Sequence, residues 1–98
     1  MKIVAVTACP TGIAHTYMAA EQLEKTARKL GHEIKVETQG AMGIENELSQ
    51  EEIDAADAVI FAADIAVEKA ERFDDKRKIE IPVHAVLKDP EAIFAKIT

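Results

Sequence analysis

Residues 2–16 read KIVAVTACPTGIAHT, and this stretch decides the fold. It opens with a nearly continuous run of β-branched and small apolar residues over 2–8, which is typical of a parallel-sheet strand buried on both faces. Pro10 and Gly12 then break the strand. From about residue 14 to residue 30, apolar residues recur at three and four positions, as on one face of a helix. The stretch therefore predicts a strand, a tight turn and a helix.

The rest of the chain repeats this alternation of strand and helix. Residues 33–39 alternate strictly between apolar and polar, which predicts a half-exposed strand at a sheet edge. A second buried strand is predicted over 57–63, and Pro82 demotes the last strand, near 80–86, to the other edge. The predicted helices follow the strands: a short one after the capping box that starts at Ser49, one over about 66–73, and one from the Asp89-Pro90 cap to about 97.

The predicted fold class is α/β, a three-layer αβα sandwich of the Rossmann-like kind. Right-handed crossovers place helices on both faces of a four-stranded parallel sheet. With the two apolar strands in the centre, the strand order is 2-1-3-4. The chain reverses direction beside strand 1, so the ligand crevice is expected between the carboxyl ends of strands 1 and 3. The phosphate-binding loop would be the turn after strand 1.

Composition narrows the class of protein further. The chain has 98 residues, 48% apolar and 31% charged, which fits a single globular domain spanning residues 1–98. Its net charge of -6 argues against a nucleic-acid partner. No apolar run approaches the ~20 residues that span a bilayer, so we expect no transmembrane segment. The single cysteine, Cys9, excludes an internal disulfide and a zinc cluster of cysteines. We expect neither a metal ion nor a cofactor.

The segment from Cys9 to Thr16 is the predicted chemical site. It places a thiol at a strand end, ahead of a turn and the start of a helix, where unpaired N–H groups and the helix dipole favour an anion. Gly12 lets the backbone approach a ligand closely, and Thr11 and Thr16 add hydroxyl donors. The same field favours the ionised, nucleophilic thiolate. The segment therefore predicts that Cys9 receives a phosphoryl group, which the loop then holds.

Other interpretations of Cys9 stand beside this one. A lone cysteine is often a small buried hydrophobe. The spacing of the loop resembles that of cysteine-based phosphatases. These enzymes carry an arginine six positions after the cysteine, where this chain has His15. The bidentate clamp that the arginine places on the phosphoryl group is therefore missing. A thiol reductase would need a second cysteine. A flavin- or nucleotide-binding module remains a further alternative, although the chain has neither a G-x-G-x-x-G nor a Walker motif.

Three segments resemble a known family. TACPTGIAHTYMAAE (7–21) looks like the phosphorylation loop of the fructose-type enzyme IIB (EIIB) of the bacterial sugar phosphotransferase system. VETQGAMGIENEL (36–48) and FAADIAVE (61–68) are similar to later segments of that family. The resemblance covers essentially the whole chain in order. It implies the same four-stranded parallel fold that the sequence pattern predicts.

The resemblance also implies a function and partners. Cys9 would accept a phosphoryl group from a phosphohistidine of the IIA component and donate it to a sugar, with fructose implied and a mannose-type sugar open. The sugar would be held by the membrane IIC component, so the chain would be cytoplasmic and peripherally associated with IIC. It would be either a free subunit or a domain of a fused chain. The loop residues that match the family pattern around Cys9 are Pro10, Thr11, Gly12, Ile13, Ala14, His15 and Thr16.

Three further residues are candidates for the rim of the site. Gln39 and Gly40 follow the second strand, where an ordinary turn is the alternative. Asp64 follows the third strand and would border the site. Because an acid beside a phosphoryl dianion is unfavourable, the sequence favours a helix cap as the role of Asp64.

Overall fold

Five strands and four α-helices make up the part of the chain that the computed structural model describes, which is residues 1–9, 13–40 and 43–97, with the backbone alone of Ile13. The strands are β1 (Lys2–Ala8), β2 (Glu33–Gly40), β3 (Gly43–Glu45), β4 (Ala58–Ala63) and β5 (Lys78–Ile81). The helices are α1 (Ile13–Lys29), α2 (Gln50–Ala55), α3 (Val83–Lys88) and α4 (Pro90–Ala95), and a 3-10 turn covers Ala70–Phe73.

The sheet has the strand order β3-β2-β1-β4-β5. Strands β2, β1, β4 and β5 are parallel and stand in the predicted order, so the α/β class and the reversal beside β1 are confirmed. The prediction of an all-parallel, four-stranded sheet is wrong, because β3 adds an antiparallel strand beside β2. A three-residue strand beginning at Gly43, which has a φ of 88°, gives no alternation that a sequence pattern can register.

Two hydrophobic cores cover the two faces of the sheet. The first core packs α1, α3 and α4 against one face, and it includes Leu23, Val86 and Phe94. The second core packs α2 and the 3-10 turn against the other face, and it includes Ile53 and Phe73. Because successive side chains of a strand point to opposite faces, β1 and β4 contribute to both cores. This confirms the three-layer arrangement.

The helix starts follow local signals closely. Ser49 caps α2 through a complete capping box with Glu52, and the Asp89 carboxylate accepts the Ala92 N–H at 3.2 Å at the start of α4. Gly31 follows α1 with a φ of 81°, the left-handed conformation that terminates many helices. These local signals mark the starts of α2 and α4 and the end of α1, whereas α3 has no such signal.

Two predicted elements are wrong. The helix over 66–73 is only the 3-10 turn at Ala70–Phe73, because Lys69 has a left-handed φ of 56° that a continuous helix cannot contain. The last strand ends at Ile81 instead of 86. Pro82 cannot donate to a strand ladder, and α3 begins directly after it, so His84 lies on a helix and not in an edge strand.

Candidate functional site

Cys9 lies directly after the carboxyl end of β1, the strand at which the sheet reverses its direction of winding. Its neighbours in the sheet are β2 on one side and β4 on the other. Cys9 is 6% exposed and belongs to the first core, so its side chain is on the face that α1 covers. The single thiol is therefore at the place where doubly wound sheets bind ligands.

The start of α1 carries no charge that would compete with an anion. The helix begins at Ile13, four positions after Cys9, and its first turn contains no acidic residue. By contrast, α2 and α4 have glutamates in their first turns. Since the amino end of a helix has a partial positive charge, α1 leaves that charge unneutralised by its own side chains. Ala14 and His15 are exposed there, whereas Thr16 is buried.

Two hydrogen bonds join the first turns of α1 to the sheet. The Thr7 hydroxyl of β1 donates to the Thr16 carbonyl oxygen at 3.2 Å. The Tyr17 phenol of α1 donates to the Glu45 carboxylate of β3. A methyl group added at Gly40, the last residue of β2, would lie 3.9 Å from the Thr16 hydroxyl oxygen, so the end of β2 is close to α1 as well. The carboxyl ends of β1 and β2 thus lie against the start of α1.

Gln39 is buried at the predicted rim, beside Ala8 in the register of β2 and β1. Its side-chain amide bridges the backbone of Glu68: Oε1 accepts the Glu68 N–H at 2.8 Å and Nε2 donates to the Glu68 carbonyl at 3.1 Å. The connection that follows β4 therefore crosses to β2. Gln39 lies within β2 and is not a turn residue, and its side-chain amide holds this connection in place.

Asp64 begins that connection, and its carboxylate binds the start of a helix, although not the helix over 66–73 that the sequence predicts. Its N–H donates to the Ala8 carbonyl at 2.9 Å, which extends the β1–β4 ladder by one bond. Its carboxylate oxygen Oδ1 accepts the Val83 N–H at 3.1 Å. Val83 is the first residue of α3, so the carboxylate of Asp64 binds the start of that helix and not of an element directly after Asp64.

A buried ion pair beside the site escaped the sequence reasoning. Glu37 was predicted to face solvent, yet it is 0% exposed, and the Arg72 guanidinium donates to both of its carboxylate oxygens at 2.9 Å. The Leu48 N–H and the Gln39 amide donate to the same carboxylate. Burial raises the pKa of Glu37, but the hydrogen bonds from Arg72, Leu48 and Gln39 outweigh burial and leave the pKa below its ordinary value. Strict alternation cannot identify such a residue, because its partner is 35 positions away.

The predicted site residues are thus brought together in part. The described ones near Cys9 are Ala14, His15, Thr16, Gln39, Gly40 and Asp64. Pro10, Thr11 and Gly12 lie outside the described residues, and so does the side chain of Ile13. No group of three or more His, Cys, Asp or Glu side chains that would hold a metal ion occurs among the residues described. Within the same residues, no helix is both long and apolar enough to cross a membrane.

This fold defines a class of doubly wound α/β proteins, which bind ligands at the carboxyl ends of the strands beside the reversal in strand order. A family model described as "PTS system, Lactose/Cellobiose specific IIB subunit" matches residues 4–96. The chain therefore belongs to the IIB family, the phosphoryl-transfer subunits of sugar phosphotransferase systems (PTS). It is 51% identical over 96 residues to the "PTS system fructose-like EIIB component 2" of Escherichia coli, covering 98% of this chain and 91% of that protein.

Solved structures agree with this assignment. A crystal structure titled as a predicted fructose-specific IIB from Escherichia coli superposes with a TM-score of 0.93 at 43% identity, covering 98% of this chain and 85% of that one. A domain of the fructose-specific IIABC component of Borrelia burgdorferi gives a TM-score of 0.92 at 47% identity, covering 97% of this chain and 90% of that chain. The family resemblance found in the sequence is confirmed.

Some relatives are longer proteins that combine several components. The "PTS system fructose-specific EIIABC component" of Bacillus subtilis is 54% identical over 95 residues, which is 97% of this chain but only 15% of that protein. The names of these relatives join a IIB component to IIA and IIC components. The family description names lactose and cellobiose, whereas the relatives are named for fructose or fructose-like systems. Family membership therefore leaves the sugar open.

Proposed function

We propose that Cys9 is the phosphoryl carrier of this subunit, receiving the group from a phosphohistidine of a IIA component and passing it to a sugar held by a membrane IIC component. The observation that carries the proposal is the position of the chain's one thiol, after the central strand and ahead of the acid-free start of α1. Fructose is the proposed sugar, on the names of the relatives. The chain would work at the membrane surface by docking on IIC.

In the first step, the Cys9 thiolate attacks the phosphorus of phosphohistidine in line with the bond to the imidazole nitrogen. The S–P bond forms, the N–P bond breaks, and its electron pair stays on the imidazole nitrogen. The proposed role of this chain is to hold the three non-bridging oxygens with backbone N–H groups of residues 11–16, since Pro10 has no N–H to donate. The uncompensated dipole of α1 stabilises the same charge.

In the second step, a sugar hydroxyl oxygen attacks the phosphorus of phosphocysteine. The O–P bond forms, the S–P bond breaks, and its electron pair returns to sulfur as a thiolate. The hydroxyl proton goes to a base, which we assign to the partner, because two carboxylates beside the site are committed elsewhere. Asp64 caps α3 and Glu37 is paired with Arg72.

The rim of the site is the surface at which we propose that the IIA and IIC partners dock. Gln39 and Asp64 fix the connection after β4 on two different elements. That connection and the exposed residues Ala14 and His15 border the position of Cys9. We assign these residues to the surface that meets the partners, with the loop from Pro10 to Thr16 as the phosphate-binding segment.

The test is the mass of the intact protein after incubation with phosphoenolpyruvate, the general phosphotransferase components and a fructose-type IIA. We expect one added phosphoryl group on the wild type and none on Cys9→Ser. The matched control is His84→Asn, on the exposed side of α3, which should be phosphorylated at the wild-type rate.

Membranes that contain a fructose-type IIC then test the second step. Addition of fructose should discharge the phosphorylated protein and yield a sugar phosphate, whereas lactose, cellobiose and a mannose-type sugar should leave the phosphoryl group on the protein. A Cys9→Ser protein that still gains the group would overturn the assignment of the carrier. Discharge by lactose or cellobiose alone would overturn fructose as the sugar.

A further inference from the structure

Three buried threonines lie where the sheet passes beneath the first turns of α1. Thr7 belongs to β1, Thr38 to β2 and Thr16 to α1. Thr7 and Thr38 are direct partners in the register of the two strands. Their side chains share the face of the sheet that also carries Cys9, because Cys9 and Val36 belong to the first core and side chains alternate along a strand. Polar side chains are thus concentrated in an otherwise apolar interface, directly beside the site.

Thr38 differs from the other two in its hydrogen bonding. The Thr7 hydroxyl donates to the Thr16 carbonyl. Thr38 is only 3% exposed, and its hydroxyl is buried without a hydrogen-bond partner within the described part of the chain. Burying a hydroxyl without a partner opposes folding, and a valine would fill the same space without that penalty. The hydroxyl of Thr38 therefore does not contribute to the stability of this state.

The position of Thr38 indicates where its hydroxyl would act. Gly40 lies two positions further along the same face of β2, and a methyl group there would be 3.9 Å from the Thr16 hydroxyl. The side chain of Thr16 therefore reaches the end of β2, two residues beyond Thr38 on the same face. Buried groups that lack a partner cluster at functional sites, where a ligand-bound state supplies the partner.

We propose that Thr38 is a positioning residue of the phosphoryl site. When an oxyanion occupies the start of α1, the Thr38 hydroxyl hydrogen-bonds to the first turns of α1 through Thr16 and holds them in the anion-binding position. The proposal rests on the proposed function, because the anion in question is the phosphoryl group that Cys9 carries. It predicts that the hydroxyl matters for anion binding and transfer while the folded protein does not need it.

The first experiment compares Thr38→Val, Thr38→Ser and the wild type. Thr38→Val should melt at or above the wild-type temperature and accept the phosphoryl group from IIA about tenfold more slowly. Thr38→Ser keeps the hydroxyl and should restore most of the rate. The control is Thr26→Val, at a buried threonine of α1, the helix that carries Thr16. Ten residues, or about 15 Å along the helix, separate it from Thr16, so its transfer rate should equal that of the wild type.

The outcomes separate clearly. If Thr38→Val melts well below the wild type, the hydroxyl has a structural partner and the proposal is wrong. If its melting temperature and its transfer rate both equal those of the wild type, the hydroxyl has no role and the proposal is again wrong. A slow Thr38→Val with no recovery in Thr38→Ser, which keeps the hydroxyl and lacks only the methyl group, would mean that side-chain packing and not the hydroxyl sets the rate, and the proposal would be wrong.

A second measurement distinguishes failure of this proposal from failure of the phosphoryl-carrier assignment. Alkylation of Cys9 by iodoacetamide is followed with and without inorganic phosphate, which needs no IIA component. Phosphate should slow alkylation of the wild type and of Thr26→Val, but slow that of Thr38→Val much less. If the wild type accepts no phosphoryl group and phosphate still protects it selectively, the carrier assignment fails and the positioning role stands. Equal protection of Thr38→Val, or no protection of the wild type, overturns the positioning role.

Discussion

Arg72 donates two hydrogen bonds to the carboxylate of Glu37, which has no contact with solvent. Removing one partner of such a pair leaves an uncompensated buried charge, which typically costs about 3–5 kcal/mol of stability. We therefore expect Arg72→Met to lower the free energy of unfolding by roughly that amount in urea titrations at neutral pH. The exposed Arg77→Met is the control and should change stability by about 0.5 kcal/mol or less.

The double variant Glu37→Leu with Arg72→Met tests the reason for this loss. It removes both charges and leaves apolar side chains, so it should recover much of the stability that Arg72→Met loses. A double variant no more stable than Arg72→Met would show that the loss comes from packing, including the contact of the guanidinium with the Phe73 ring, and not from the unpaired charge.

The same carboxylate makes stability depend on pH in acid. Hydrogen bonds from Arg72, Leu48 and Gln39 overcome burial, which alone would raise the pKa, and they hold the pKa of Glu37 below its ordinary value of 4.5. The folded state therefore binds a proton less readily than the unfolded chain does. The resulting stability is present above the unfolded pKa and is lost as the pH falls through the folded pKa. We expect the urea midpoint of the wild type to fall as the pH drops below the ordinary glutamate pKa of 4.5.

Two variants test whether Glu37 causes this loss of stability in acid. Glu37→Gln should be less stable than the wild type at neutral pH and should show a flatter fall in acid. Hydrogen bonds from Lys35 and Ser49 lower the pKa of Glu52 to about 2, with the same sign of linkage. Glu52 is partly exposed, however, so solvent screens its contribution and Glu52→Gln should keep most of the wild-type pH dependence. A fall in acid that disappears in Glu52→Gln and persists in Glu37→Gln would contradict this assignment.

At the level of single elements, Asp64 joins the end of β4 to the start of α3. Loss of a capping carboxylate costs about 1 kcal/mol, so Asp64→Ala should lose roughly that amount. Asp64→Asn keeps an oxygen that accepts the Val83 N–H and should remain close to the wild type. Because the role assigned to Asp64 is structural, Asp64→Asn should also accept a phosphoryl group at the wild-type rate. A changed transfer rate at unchanged stability would place its charge in the site instead.

Local chemistry explains which elements the sequence predicts well. The start of α2 depends on Ser49 and Glu52, three positions apart, and the start of α4 depends on Asp89 and Ala92. The prediction of a helix over 66–73 is wrong because the Gln39 amide, 29 positions away, hydrogen-bonds to both the N–H and the carbonyl of Glu68. Periodicity within the segment contains no information about that contact. The position of Cys9 was predictable because a strand and the helix after it determine it, whereas the Thr38 environment depends on three elements.

At the scale of the whole molecule, the predicted order of the parallel strands was right although one reason for it was wrong. Alternation along residues 33–39 predicts a half-exposed edge strand. In the structure β2 is covered at its edge by β3, and Glu37 is covered by the turn that carries Arg72. The order holds because β1 and β4, the two apolar strands, must still be central in the parallel set. Burial of a charged side chain by a partner distant in sequence is what the pattern could not reveal.

The two cores should unfold together, because β1 and β4 contribute side chains to both. Ile53→Ala empties space in the second core and should cost about 2–5 kcal/mol. Tyr17 fluorescence and the reactivity of the Cys9 thiol report on the opposite, α1 side of the sheet. Both should shift to the same lowered urea midpoint as far-UV circular dichroism, as one cooperative transition requires. The control Leu30→Ala, at an exposed position after α1, should move none of the three. If Tyr17 and Cys9 kept their wild-type midpoint in Ile53→Ala, the two faces of the sheet would be separate folding units.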